Sequence, residues 1–382
     1  MAAALLLIIG SAAYEFSLHS GTSKNAKQES RKDSVSKENA SGKIGEGASP
    51  SSSLAVPEGG FSFVVQADSH LDENTNTSLY RQTIMNITDG KPSFLMDLGD
   101  TFMSEKFAKT LQEVEGRYIQ AKSYFDLLGN IPLYLVNGNH DGECGWMGNM
   151  EEWARNSRLK YFPSDDIGSG AYLGNRTTAN YYSFVKGDAQ FIILDPFTFT
   201  TEKAKGEDDG WSYTLGKTQY DWLKATLENS NSKYKFVFIH NLVGGYGKDA
   251  RGGAEAAKYY EWGGYSLSGS YDFDEMRPGW GKPIHQLLVD NNVNVVFHGH
   301  DHFYARQSLD GIIYQLVPQP GTPGNSVNDA SKYSYKAGVF LPSAGYLRVV
   351  VSSEEAVVEY VKTAQDMSQN SSIPDHYVIN PK

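Results

Sequence analysis

Five apolar runs of four to six residues, strung along the chain from Phe61 to Phe297, are each followed almost at once by a short polar motif that holds an imidazole, a carboxylate or a carboxamide. Phe61–Gln66 precedes Asp68-Ser69-His70, Phe94–Leu98 precedes Gly99-Asp100, and Leu133–Val136 precedes Gly138-Asn139-His140-Asp141. Phe236–Ile239 precedes His240-Asn241, and Val293–Phe297 precedes Gly299-His300-Asp301-His302. Continuous apolar runs of this length are the mark of strands buried on both faces. Helix-length segments between the early runs require crossover connections, which commits the chain to an α/β fold. In such folds, ligands bind in loops at the carboxyl ends of the strands.

Three helices are expected. One is capped by Ser104 and carries Phe107, Leu111, Val114 and Tyr118 at helical spacing. The second covers Lys217 to Leu227, with Tyr220, Leu223 and Leu227 on one face, and the third covers Pro283 to Val289, with proline in the first turn. Tyr182–Leu194 and Leu347–Val361 each read as two strands joined by a polar turn, so hairpins join the crossovers in a mixed, two-sheet core. The stretch from Val243 to Pro283, rich in Gly, Tyr and Trp, lacks either period and is a lid, a binding loop or an ordinary surface excursion.

Residues 1–13 form an apolar segment ending in small residues, expected to be a secretory signal or a short anchor and too short to span a bilayer comfortably. From Ser20 to Ser53 there is no aromatic residue and only Val35 and Ile44 as large aliphatics, so residues 14–56 are expected to be a disordered tether. A domain over 57–364 and a tail over 365–382 complete the expected organisation, in a secreted or extracytoplasmic protein that the N-terminus tethers to a membrane if it is retained. The formal charge of −11 argues against affinity for nucleic-acid phosphates. The single cysteine, Cys144, excludes an intrachain disulfide. It lies four residues after His140, where a thiolate ligand or nucleophile is conceivable, although the other candidate ligands suffice without it.

Taken singly, the polar motifs are commonplace; together they supply a ligand set for two hard-to-borderline metal ions rather than for a structural zinc. Of nine histidines, His70, His140, His240, His300 and His302 lie within the motifs and His298 adjoins them. The order and spacing of the motifs resemble the calcineurin-like metallophosphoesterase superfamily over roughly residues 60–362. The stretches Val295–Arg306 and Gly345-Tyr346-Leu347 look most like its purple acid phosphatase branch, except that Met103 stands where that branch has a ligand tyrosine.

The resemblance implies a two-sheet β-sandwich flanked by helices in αββα layers, with the metal site at the carboxyl ends of the strands. It implies one metal held by Asp68, His70, Asp100 and His302 and a second held by Asp100, Asn139, His240 and His300, with Asp100 as the bridge. The ions would be divalent or trivalent: Mn, Fe, Zn or Co. The implied activity is dinuclear hydrolysis of phosphate monoesters by attack of a metal-bound hydroxide. His140 would protonate or stabilise the leaving oxygen, and Asp141 would orient that imidazole or cap the following turn. His298 is expected to support a ligand rather than to be one.

A phosphodiesterase or nucleotide hydrolase is the alternative on the same metals, with Arg251 and Tyr260 of the long irregular stretch among the residues able to grip the substrate. The substrate would be a phosphorylated small molecule, a nucleotide or a phosphoprotein. A non-catalytic binding module should have lost ligand positions, and none is lost here. The oligomeric state is not legible.

Overall fold

The computed structural model describes residues 55–382 apart from Glu73, 164–172, Arg176 and Asn325. The expected apolar segment 1–13, and all of the expected tether 14–56 but its last two residues, lie outside the described residues. No helix among the described residues is long and apolar enough to cross a membrane.

The chain order of strands is β1 (Phe61–Gln66), β2 (Leu95–Asp97), β3 (Leu133–Leu135), β4 (Leu173–Asn175), β5 (Tyr181–Lys186), β6 (Ala189–Ile193) and β7 (Tyr234–Phe238). There follow β8 (Val295–His298), β9 (Tyr304–Leu309), β10 (Ile312–Leu316), β11 (Val339–Leu341), β12 (Gly345–Val351), β13 (Ala356–Lys362) and β14 (Asp375–Ile379). They form a six-stranded sheet, β14-β13-β12-β1-β2-β3, and an eight-stranded sheet, β11-β9-β10-β8-β7-β6-β5-β4. β1, β2 and β3 run parallel, as do β6, β7 and β8, so the carboxyl ends within each set point the same way.

Phenylalanines of the apolar runs fill the space between the sheets. Phe63 stacks on Phe94 at 5.2 Å and meets Phe191 edge-on at 5.1 Å, and Phe238 stacks on Phe297 at 5.1 Å. Helices α1 (Thr77–Gly90), α3 (Leu111–Phe125) and α4 (Asn149–Tyr161) contribute to the apolar layer outside the six-stranded sheet; α5 (Gly216–Glu228) and the helix Ile284–Asp290 contribute to that outside the eight-stranded one. The αββα layering follows from strands that are apolar on both faces.

Two expectations need correction. The helix expected from Ser104 is two: α2 (Ser104–Phe107), then α3 after a break. The break arises because Thr110 and Glu113 form a reciprocal capping box that starts α3 afresh, while the Ser104 hydroxyl caps nothing. The expected tail 365–382 contains β14, paired with β13 over five residues, with Tyr377 and Ile379 in the core between the sheets. In the irregular stretch from Val243 to Pro283, whose alternatives the sequence left open, Trp262, Phe273 and Trp280 are buried against the outer face of the eight-stranded sheet. The two hairpins and the helix around Lys217–Leu227 stand where they were expected.

Candidate metal centre

The parallel sets in the two sheets deliver their polar loops to one place. Asp68 and His70 follow β1, Asp100 follows β2, and Asn139 and His140 follow β3. His240 follows β7, and His300 and His302 follow β8. The approach is close enough to need glycine. A Cβ on Gly138 would stand 2.1 Å from the Asp100 amide nitrogen, and one on Gly299 would stand 2.5 Å from Asp68 Oδ2.

Two groups of ligand atoms result, Asp68/His70/His302 and Asp100/His240/His300, with the atoms of each within 4.8 Å of one another. They are contiguous. His70 Nε2 is 3.6 Å from Asp68 Oδ1 and 3.6 Å from Asp100 Oδ2; His240 Nε2 is 3.3 Å from Asp100 Oδ2 and 3.9 Å from Asp68 Oδ1. His302 Nε2 is 3.5 Å from Asp68 Oδ1, and Asn139 Oδ1 is 3.1 Å from His240 Nε2. All seven expected ligands therefore converge.

These residues fit metal ions. Asp68 Oδ1 and His70 Nε2 are buried without a hydrogen-bond partner, which is costly unless a cation takes them up. The other Asp68 oxygen accepts the His300 amide at 2.8 Å. His240 Nδ1 donates to the Leu98 carbonyl at 2.8 Å, which turns Nε2 toward the carboxylates as the nitrogen a cation would take. His300 Nε2 is engaged by the Asp249 carbonyl at 2.7 Å, so Nδ1 is its free nitrogen.

The electrostatics suit cations as well. Burial works against the Asp68 carboxylate, but the imidazoles of His302 and His70, 3.5 and 3.6 Å from its Oδ1, hold it well below the usual range. Asp100 is likewise buried and is pulled far down, mainly by His240 and His140. The same attraction outweighs burial at His240 and raises it to about 10, whereas burial depresses His70 and His300.

His140 lines a cavity of about 210 Å³ over this centre, together with Asp100, Asn139, His300 and His302. Its amide donates to Asp100 Oδ1 at 2.8 Å, and its Nδ1 meets Glu105 Oε2 at 2.8 Å. The imidazole is raised despite burial, by Asp100 and by Glu105. Glu105, which the sequence reading missed, thus occupies the place expected for Asp141. Asp141 does not touch the imidazole and does not cap the turn that follows it. Its Oδ2 accepts the amides of Asp100 and Gly138, at 3.0 and 2.8 Å, and its Oδ1 accepts those of Thr101 and Phe102, at 2.8 and 2.9 Å. It locks the loop after β2 onto the loop after β3.

Of the two expected substrate contacts, Arg251 lines the cavity and Tyr260 does not. Tyr260 is buried with its ring against Gly210 and Gly244. The His298 Nε2 is buried with no hydrogen-bond partner; side chains that do reach behind a ligand include Gln319, whose Nε2 donates to the Asp68 carbonyl at 3.2 Å, and Ser343, whose hydroxyl donates to the His302 carbonyl at 2.9 Å. The Cys144 thiol donates to the Asn139 carbonyl, and burial raises its pKa, which leaves an inert thiol. Met103 is fully buried at the head of α2. Trp146, Phe197, Lys203 and Tyr213 complete one wall of the cavity; no motif pointed to them.

Residues 61–304 match the family model of the calcineurin-like phosphoesterases. Purple acid phosphatase 13 of Arabidopsis thaliana is 29% identical over 178 residues, which are 47% of this chain and 26% of that protein. The chain thus spans about a quarter of that relative's length. Among solved structures, PhoD superposes with a TM-score of 0.58 at 16% identity, over 85% of this chain and 70% of that one. Purple acid phosphatase PPD1 from yellow lupin (Lupinus luteus) gives 0.52 at 15% identity, over 84% and 54%. At such identities the likeness is one of fold.

Proposed function

Because the chain belongs to the calcineurin-like phosphoesterase family, we propose that it is a metal-dependent phosphatase that hydrolyses phosphate monoesters at a two-metal centre. The observation that carries this reading is the contiguity of the two ligand groups, in which Asp68 and Asp100 each lie within 4 Å of both His70 and His240. The purple acid phosphatase name of the curated relative and of the lupin structure favours monoesters over diesters.

Asp68, His70 and His302 would hold one ion, Asn139, His240 and His300 the other, and Asp100 both. Bound there, two cations supply an activated water and neutralise the phosphoryl oxygens. The protein's own part is positional and protonic. With Nδ1 on the Glu105 carboxylate, protonated His140 carries its second proton on Nε2, where it is available to the leaving oxygen. Asn139 contributes a neutral oxygen and adds no charge to a centre already holding two carboxylates.

The test is hydrolysis of paired aryl phosphate mono- and diesters by metal-reconstituted protein, with His140→Ala and Asp100→Ala alongside. Preference for the monoester, abolished by chelation and by Asp100→Ala, is the expected outcome. Preference for the diester would make the protein a phosphodiesterase, and activity indifferent to chelation and to both substitutions would overturn the proposal.

A further inference from the structure

We propose that Lys203 is a specificity-determining residue that selects phosphate monoesters whose leaving group itself bears a negative charge, a carboxylate or a second phosphate. This rests on the monoesterase reading above.

Two cationic side chains, Lys203 and Arg251, line the cavity. Arg251 is committed: its Nη1 donates to the His300 carbonyl at 2.8 Å and to Asp301 Oδ1 at 3.0 Å, and its guanidinium lies over the Tyr333 ring at 4.6 Å. It braces the loop that carries His300 and His302. Lys203 is engaged more loosely. Its ammonium is 3.3 Å from Glu105 Oε1 and 5.5 Å from the centre of the Trp146 ring, and half of the side chain is exposed. Trp146 is itself fixed edge-on by Phe197 at 5.9 Å and Tyr213 at 6.4 Å. The indole is a rigid platform that holds a cation at the cavity wall, an arrangement that costs the flexible lysine less ordering when an anion arrives.

The position relative to His140 decides what that cation meets. One carboxylate, Glu105, bridges the His140 imidazole and the Lys203 ammonium. The leaving oxygen departs toward His140, so the group attached to it extends to the Lys203 side. Asp249 also lines the cavity, with its carbonyl on His300 and its carboxylate near Arg251 and Tyr213. A neutral leaving group gains nothing from Lys203, whereas an anionic one gains a charge-assisted hydrogen bond beside an aromatic wall.

The test pairs binding with turnover. Calorimetry on metal-loaded protein compares butylphosphonate with 4-phosphonobutyrate, which share a non-hydrolysable head and differ in a terminal carboxylate. Turnover compares glycerol 3-phosphate with 3-phosphoglycerate, and propanediol monophosphate with the bisphosphate to separate carboxylate from phosphate as the preferred anion. We expect about a tenfold preference for the charged member, expressed in Kd and KM rather than kcat. It should shrink as ionic strength rises, vanish in Lys203→Met, and return in Lys203→Arg. Equal losses on charged and neutral members in Lys203→Met would overturn the proposal, placing the lysine on the scissile phosphate or behind Glu105. Equal affinity of wild-type protein for the two phosphonates would overturn it too. A phosphonate preference that depends on Lys203, with neither ester turned over, would uphold the anion subsite and sink the monoesterase reading instead.

Discussion

An aspartate or histidine held at positive φ gives up about 1–3 kcal/mol relative to an unstrained conformation. Five of the seven converging ligands are held so: Asp68 at 57°, His70 at 43°, Asp100 at 56°, His300 at 78° and His302 at 69°. Such backbone turns side chains that would leave the strand ends on alternate faces into a single focus. Sequence signals for this were partial: Gly99, Gly138 and Gly299 mark the tight approaches, and the ligand types are explicit. Glu105 and Lys203 were invisible because each sits in an ordinary charged segment and gains its meaning only from a fold that sets it beside His140. Asp141 misled because adjacency in sequence stood in for contact. His140→Ala is expected to lower kcat by about 10²–10⁴ on alkyl phosphates, and by less on 4-nitrophenyl phosphate, whose leaving group needs no proton. Comparing the two substrates in steady-state kinetics checks the assignment. Glu105→Gln should act on the pH profile. Once metals neutralise Asp100, Glu105 is the anion left to hold the imidazole proton, so its loss lowers the pKa of His140 and moves the alkaline limb of kcat to lower pH. A reduced rate with that limb unmoved would leave Glu105 a structural role only.

Whole elements were read well where apolar period and turn chemistry agree, as in both hairpins and in α5. They were misread where a polar pair outranks the period. Leu111, Val114 and Tyr118 do continue the spacing set by Phe107, yet the Thr110–Glu113 box restarts the helix between them. β14 was hidden because its flanks are polar and its sequence, DHYVI, offers only two residues to the core. Ending the chain at residue 364 should therefore be severe. It exposes the edge of β13, removes Tyr377 and Ile379 from the core, and breaks the bonds from Tyr304 and Arg306 to Asp375. Burial of two such side chains alone is worth about 3–6 kcal/mol. Thermal melts of the truncated and full chains measure it, and an unchanged midpoint would restore the reading of a dispensable tail. Asp141→Asn tests the lock between the loops after β2 and β3 in the same way. An amide has one acceptor where four amides need two, and its NH₂ faces donors, so a loss of about 2–4 kcal/mol is expected, together with weaker metal binding.

On the scale of the whole molecule, the centre ties metal, protons and stability together. Without metal, His240 holds its proton to about pH 10 because Asp100 outweighs burial. That raised pKa contributes stability fully present below the ordinary value of 6.5 and lost as pH climbs through 10. Asp141, raised to about 7, and Asp97, raised to about 6, both chiefly by burial, favour their neutral forms in the fold and act in the same direction from about pH 4 upward. Asp68 and Asp100 act oppositely: held below the ordinary 3.8, they give stability that is lost only in strong acid. His70 and His300, depressed by burial, work the other way only up to about their ordinary 6.5, so the metal-free protein should lose stability steadily between pH 7 and 9. A bound cation needs a neutral His240 and ionised carboxylates, so loading must expel the His240 proton, and apparent metal affinity must rise with pH up to about 10. Calorimetric titration with Mn or Zn at pH 7.5, in buffers of different ionisation enthalpy, should report release of about one proton per centre filled. The fall in melting temperature between pH 7 and 9 should flatten once the metal is saturating. Heats that do not depend on the buffer would mean that His240 is already neutral before the metal arrives, and that the Asp100–His240 pair is not the charged core of the empty site.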